Sequence, residues 1–416
     1  MVGTELAGGE VLARVASGIP ESPAGVLRHE RIPFVTYPYE WPFSMLRQAA
    51  LLTLDLTARA LDAGLILKDA TPYNVQFRGS RPVFIDVSSF ERLREGEPWA
   101  GYRQFCMLFL YPLMLQAYRG VDYQPLLRGS VDGIPPAQMA ALMKGTRLKS
   151  GLLSHVRLHA RLEASSAEKA GTEVRGELKK AQFKTELIRA NLKKLRKLVE
   201  GMDWEAGRST WSEYREENTY SDDDDRAKAD FVRSVAEATP SKLTWDLGAN
   251  DGAYSRIAAE NAETVIALDF DHATVDGLYR RLRDEGNEAI VPLVGNLVDP
   301  SPGLGWRGLE RRTMEDRGSP DLVLALALIH HLSITGNVPV AELLDWFASL
   351  GAPLVIEFPT REDPMVKRLL AAKAEGLHTD FELGEFERLL GERFEIDRRE
   401  ELPSGTRVMF LARPRG

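Results

Sequence analysis

Residues 243–259 constrain this chain more than any other stretch. The run Leu243-Thr244-Trp245-Asp246-Leu247 has the apolar content of a buried strand, and it passes directly into Gly248-Ala249-Asn250-Asp251-Gly252. Two glycines permit tight turning and close backbone approach there, and Ala253 to Ala259 then reads as a helix. Strand, glycine-rich turn and helix in that order are how a doubly wound α/β sheet makes a nucleotide pocket. Twenty-three residues after Asp246, the run Thr264-Val265-Ile266-Ala267-Leu268 ends in Asp269. An acid at the tip of a second strand is placed to accept hydrogen bonds from both hydroxyls of a ribose. A dinucleotide turn has three glycines and seats a pyrophosphate on the helix N-terminus, whereas this one has two glycines with Asp246, Asn250 and Asp251. Carboxylates repel a pyrophosphate, so the turn suits a nucleoside with a cationic end better than NAD.

On these residues the chain, over roughly 211–413, resembles the class I S-adenosylmethionine-dependent methyltransferases. The resemblance implies that Asp246, Gly248, Asn250 and Gly252 wrap the methionine part of the cofactor. It further implies that Asp269 holds the ribose, that Asn296 in Val294-Gly295-Asn296-Leu297 approaches the adenine, and that Leu326 lines the same pocket. The later segments arrive in a compatible order. The run 321–328 is a continuous apolar stretch suited to a strand buried on both faces, and 353–358 is the next strand. The segments 394–399 and 406–412 form a closing antiparallel pair. The expected fold is therefore α/β, with a C-terminal seven-stranded Rossmann-like methyltransferase sheet preceded by a mainly α, kinase-C-lobe-like domain and a helical connector.

Methyl transfer needs alignment, exclusion of water and, for hydroxyl-like acceptors, a base. His330 and His331 follow the fourth strand, at the edge where open α/β sheets keep their ligands. An imidazole with its ordinary pKa suits proton removal near neutrality. His331 is the expected base, His330 lies nearer the cofactor, and Glu357 at the end of strand five positions the acceptor. Arg361 is a candidate for a substrate carboxylate. Trp211, Tyr214, Asn218 and Tyr220, aromatic and polar residues in a hydrophilic stretch, are candidates for a lid. No metal ligand set is expected.

The front of the chain has a second signature. Asp69, with Asn74 five residues on, precedes an expected β-hairpin and then Asp86 in Phe84-Ile85-Asp86-Val87. This order resembles the phosphotransfer site of protein kinases and aminoglycoside phosphotransferases, in which the first aspartate orients the acceptor and the other two residues hold magnesium. Only about forty residues precede the helix expected at 43–63, too few for a nucleotide-clamping lobe. The segment therefore reads as a truncated, kinase-like remnant used for substrate recognition or assembly, and the three residues as vestigial. The bland reading of 69–74 is a turn rich in Asp, Pro and Asn.

At 416 residues the chain divides into an expected kinase-like domain at 1–150, a charged helical connector at 151–205 and the methyltransferase domain at 206–416. In the connector, Phe183, Leu187, Ile188, Leu192, Leu195 and Leu198 share one helical face among lysines and arginines. That face is expected to pack on a domain or on a second copy of the chain, so a homodimer through it or through the N-terminal domain is open. Asp222 to Asp225 reads as a solvated loop. A net charge of −8 argues against nucleic acid as the main partner. The one cysteine, Cys106, excludes an internal disulfide framework, and a cytoplasmic location without signal peptide or membrane segment follows. Taken with the resemblance to bacterial methyltransferases related to nodulation proteins, the expected function is methylation of an oxygen or nitrogen on a small molecule or glycan in a biosynthetic pathway. Two other readings stay open: an ATP- and magnesium-dependent phosphotransferase, and a non-catalytic cofactor-binding partner of another enzyme.

Overall fold

The computed structural model describes residues 1–18, 23–94, 96–146, 149–166, 184–204, 221–374 and 376–415. Its centre is a seven-stranded sheet, β1 Ser241–Leu247, β2 Ala262–Asp269, β3 Ile290–Val294, β4 Leu322–Ala325, β5 Leu354–Pro359, β6 Phe394–Glu401 and β7 Arg407–Pro414, in spatial order β6-β7-β5-β4-β1-β2-β3. The neighbours β3, β2, β1, β4 and β5 are parallel, and β7 runs antiparallel to both β5 and β6. The order reverses between β1 and β4, so the C-terminal ends of those strands open a crevice. This is the mixed sheet with a closing hairpin expected of the class I methyltransferase fold.

The first strand, the helix after it and the hairpin lie where the sequence places them. The apolar run at 321–328 does not continue as strand. β4 stops at Ala325, and Ala327 adopts φ 50° with its N–H donated to Glu357 Oε2 at 2.9 Å. A left-handed alanine is uncommon and persists only where neighbours hold it. The acidic run 222–225 is likewise not a loop. It is the first turn of helix α1, Asp222–Ala238, whose N-cap Ser221 accepts the Asp224 N–H. Four carboxylates at a helix N-terminus are favourably placed against the helix dipole. Asp224 is buried there and accepts the Ser404 N–H at 2.9 Å.

One face of the sheet is covered by α1, by α2 (Ala253–Ala259) and by part of α3 (His272–Asp284). The other face is covered by α4 (Val340–Ser349) and α5 (Leu383–Arg393) only toward β5 and β7. Between β3 and β4 there is no α-helix, only the short turns Trp306–Gly308 and Glu315–Arg317. The N-terminal half fills that position. Phe34 meets Trp245 edge-on at 6.4 Å, Trp41 packs on Phe77, and Phe77 meets Tyr279 at 6.1 Å, all within one continuous apolar core. Polar contacts lock the seam. Ser44 N–H and Oγ–H donate to Asp276 at 2.6 and 3.0 Å, and Arg317 forms a two-pronged pair with Glu40 at 2.6 and 2.8 Å. Packing therefore crosses the sequence divisions at 150 and 206.

The long helix Phe43–Asp62 and the hairpin Val75–Arg78 with Arg81–Phe84 occur as expected. The segment 102–119 is helical with a π-helical stretch at Cys106–Leu110. In the connector, Thr185–Glu200 packs on Phe43–Asp62, burying Ile188, Leu192, Leu195 and Leu198, and Arg196 and Arg189 pair with Asp55 and Asp62 at 2.6 and 2.7 Å. Its apolar face is thus used within the chain, whereas Leu187 lies 57% exposed. Phe183 lies outside the described residues. Among the described residues no helix is long and apolar enough to cross a membrane.

Candidate cofactor and acceptor site

The turn after β1 is pinned by Gly248 and Ala249 N–H groups on the Leu268 carbonyl, at 2.8 and 3.0 Å. Gly248 sits at φ 77° and Gly252 at φ 81°. A Cβ on Gly252 would come 2.7 Å from Leu278 Cδ1, so the positive φ favours glycine there and any side chain would also have to displace Leu278. Asn250, at φ 49°, donates its N–H to Asp269 Oδ2 at 2.9 Å, and Asp271 donates to Oδ1 at 2.9 Å. Each carboxylate oxygen has a second acceptor position. Burial raises the Asp269 pKa, opposed by those backbone N–H groups.

A cavity of about 900 Å³ opens over this turn. Asp246, Gly248, Asn250, Asp269, Asn296 and Leu326 all line it, so the segments named from sequence are brought together at one place. Phe270 also lines it and is 46% exposed, an apolar wall directly after the ribose-side acid. Asn296 Oδ1 accepts the Val298 N–H at 2.9 Å. Asp246 is buried and accepts the Ser255 hydroxyl at 2.5 Å. Burial pushes its carboxyl up to about 6, with the Ser255 hydrogen bond and the Lys228 charge opposing.

The cavity wall also carries His330 and His331, with ring centroids 4.1 Å apart. His331 opens a π-helical turn, His331–Thr335, a form common at functional sites. His330 Nδ1 is buried without a hydrogen-bond partner among the described residues. Burial, and then the Arg407 charge, lower His331 to about 4; burial and the neighbouring His331 push His330 well below the ordinary imidazole value. Both rings are neutral at pH 7. The ordinary pKa assumed from sequence does not survive burial, and His331 is a weaker base than expected.

Glu357 is corrected more fully. It is fully buried and absent from the cavity wall. Lys228 Nζ lies 2.6 Å from Oε2, Arg407 Nη1 donates to Oε1 at 2.9 Å, and Ala327 N–H donates to Oε2. Burial would raise its pKa, but the two cations outweigh burial and hold it at about 2. Arg407 also donates to Asp363 at 2.7 Å, and Asp363 caps the helix Pro364–Ala371. Glu357 thus supports the wall instead of touching an acceptor. Arg361 is also displaced from its expected role. It donates to the His378 carbonyl at 2.8 Å, pairs with Glu382 at 3.2 Å and does not line the cavity. The lid candidates Trp211, Tyr214, Asn218 and Tyr220 lie outside the described residues.

Sequence reading missed Lys228, Arg407 and Asp225 on the cavity wall. Lys228 had one usable signal, a lysine on the apolar stripe of α1 beside Phe231 and Val232.

The N-terminal triad is arranged otherwise. Asn74 Nδ2 donates to the Asp69 carbonyl at 3.4 Å and to Ser89 Oγ at 3.0 Å. The Asp86 carboxylate accepts from Ser88 N–H at 3.0 Å, Ser88 Oγ–H at 2.6 Å and Ser89 Oγ–H. The acid caps its own loop.

No family model matches the chain. Among the solved structures that match, two each cover about half of it. The magnesium protoporphyrin IX methyltransferase (ChlM) of Synechocystis PCC 6803 with bound SAH is 17% identical, covers 50% of this chain and 95% of its own, and has a TM-score of 0.34. The N-methyltransferase NodS of Bradyrhizobium japonicum WM9, in complex with S-adenosyl-L-homocysteine, is 11% identical, covers 50% and 100%, and has a TM-score of 0.34. The nodulation protein NoeA of Rhizobium meliloti (strain 1021) is 35% identical over 391 residues, which are 93% of this chain and 81% of that protein. With that identity running through both halves and the shared core between them, the chain belongs to the NoeA family of nodulation proteins.

Proposed function

We propose that the protein is an S-adenosylmethionine-dependent methyltransferase acting on a small-molecule or glycan acceptor. The observation that carries this reading is the convergence of Asp246, the Gly248–Gly252 turn, Asp269 and Asn296 on one cavity at the switch point of the sheet. The residues present fit the cofactor. The buried Asp246 and half-buried Asp269 carboxylates face a cavity lined at the turn by Gly248, and Phe270 supplies an apolar wall for a base. When bound, S-adenosylmethionine supplies an activated methyl group on sulfur. The chain's part is to hold the cofactor's ammonium with Asp246, its ribose with Asp269 and its adenine between Phe270 and Asn296. The acceptor then sits at the His330–His331 end.

Neutral imidazoles with depressed pKa values accept a hydrogen bond from an acceptor hydroxyl or amine but take its proton less readily than an ordinary histidine. An acceptor nitrogen that is already unprotonated therefore stands level with oxygen. The N-terminal half is assigned to shaping the molecule and the acceptor side, and its kinase-like signature to ancestry of form. The hydrogen bonds that the Asp86 carboxylate accepts from Ser88 and Ser89 favour a capping role for it over a metal ligand.

Calorimetric titration of the full chain with S-adenosylhomocysteine and, separately, with ATP and magnesium tests the proposal. Micromolar binding of the first alone, lost in Asp269→Ala, supports it. Binding of ATP alone, lost in Asp86→Ala, overturns it in favour of phosphotransfer.

A further inference from the structure

The lysine and arginine side chains on the described cavity wall are Lys228 and Arg407, and they pair with the two oxygens of one carboxylate, Glu357. Arg407 lies between Glu357 and Asp363, at 2.9 and 2.7 Å, and its charge is felt by both histidines. Lys228, which also acts on His330, differs in its other neighbours. Its ammonium lies 4.6 Å from the centre of the Tyr254 ring, acts on Asp246 and is 2.6 Å from Glu357. The side chain is only 3% exposed.

Fold stability does not call for this arrangement. A buried lysine–glutamate pair is commonly no more stabilising than apolar side chains of the same volume, because both ions must leave water. The pair does keep a cation at the wall of a cavity beside a carboxylate. A ligand with an amino-acid end presents an ammonium and a carboxylate a few ångströms apart. Asp246 suits the first, and Lys228 is the cation beside it for the second. Tyr254, stacked against the ammonium, limits where that cation can go.

We infer that Lys228 binds the carboxylate of the cofactor's amino-acid end, and that Glu357 is the positioning residue that holds the ammonium at the cavity wall. The inference rests on the methyltransferase reading and adds a specificity to it: the site discriminates against adenosyl thioethers that lack the carboxylate. Glu357 performs the same service for Arg407 and for the Ala327 turn.

The test is calorimetry on the full chain with three probes: S-adenosylhomocysteine, its decarboxylated analogue, which keeps the amine, and 5′-methylthioadenosine, which lacks the whole amino-acid end. The wild type is expected to prefer S-adenosylhomocysteine over the decarboxylated analogue at least tenfold. In the double substitution K228M/E357Q, which removes both buried ions together, that preference should fall to within twofold. Affinity for 5′-methylthioadenosine should stay within twofold of wild type, and the unfolding temperature should stay near it. If the double variant does not fold, K228Q is put through the same comparison. Equal wild-type affinity for the first two probes, or a tenfold preference that persists without Lys228, overturns the inference while leaving the methyltransferase reading in place. A wild type that binds none of the three overturns both.

Discussion

Two acid-bearing turns, one in each half of the molecule, show how little a motif says until its neighbours are known. Asp69, Asn74 and Asp86 follow the order of a phosphotransfer site, and Asp246, Gly252 and Asp269 follow the order of a nucleoside site. In the first, Ser88 and Ser89 supply the donors, and their hydrogen bonds, against the effect of burial, hold the Asp86 carboxyl below its ordinary pKa. In the second, Asp246 is buried and Asp269 half-buried against a cavity, and the loss of water raises both pKa values. A carboxylate satisfied by its own loop and away from the cavity is a cap; one kept costly and facing the cavity is ready for a ligand.

The comparison breaks most easily at the seam that unites the two halves. Trp41→Ala should cost about 3–5 kcal/mol, because it empties a fully buried site packed on Phe77. Since the core is continuous, thermal unfolding followed by fluorescence and by calorimetry should still show one transition, at lower temperature. A C-terminal half that melts at its original temperature would show that the halves are independent.

Asp269→Ala should weaken S-adenosylhomocysteine by a factor of 100 or more, from the loss of hydrogen bonds worth roughly 1.5–3 kcal/mol each to a charged group. Calorimetry reads this directly, and an effect under tenfold would place the ribose elsewhere.

Acidity sharpens the contrast by a smaller amount. The folded pKa of Asp246 is raised to about 6 from 3.8. In the ligand-free protein this group therefore favours the fold increasingly as pH falls from above 6 toward 3.8. A cationic ligand reverses the preference, since it binds the carboxylate. Affinity for S-adenosylhomocysteine should drop about tenfold between pH 7 and pH 5 as this one group takes up its proton. Asp246→Asn should flatten that profile, and an unchanged slope in the variant would assign the titration to another group.

The smallest effect belongs to the front turn. Asp86→Ala should cost about 0.5–1 kcal/mol, as the loss of a capping carboxylate does, and leave S-adenosylhomocysteine affinity unchanged. Because the folded pKa of Asp86 is depressed, that small contribution is present above the ordinary carboxylate pKa and is lost as pH falls below it. Measurable magnesium–ATP binding that disappears in the variant would reverse the assignment of this turn.

Much of the C-terminal half was legible in the chain because its signals are local. A strand, a glycine pair at positive φ, a helix and an acid at the next strand tip lie within thirty residues, and backbone sterics alone force the turn. The helices at 43–62 and 185–200 were equally readable from apolar spacing, although which surface the second one covers was not. The charged wall was not legible. Lys228, Glu357, Asp363 and Arg407 lie far apart in sequence, and each looks ordinary on its own element. Glu357 read as a rim residue because position at a strand end is local, whereas its partners come from α1, β7 and the Ala327 turn.

The order of the main strands, the cofactor-type turn and the placing of the histidines beyond β4 followed from local conformational preference and periodicity in the chain. Packing in three dimensions set the rest: the N-terminal half completes the open face of the sheet, Asp86 caps its own loop, and four charges distant in sequence meet beneath the cavity. Those outcomes depend on which polar groups lose water together and find partners, and burial and pairing are properties of the whole packed core.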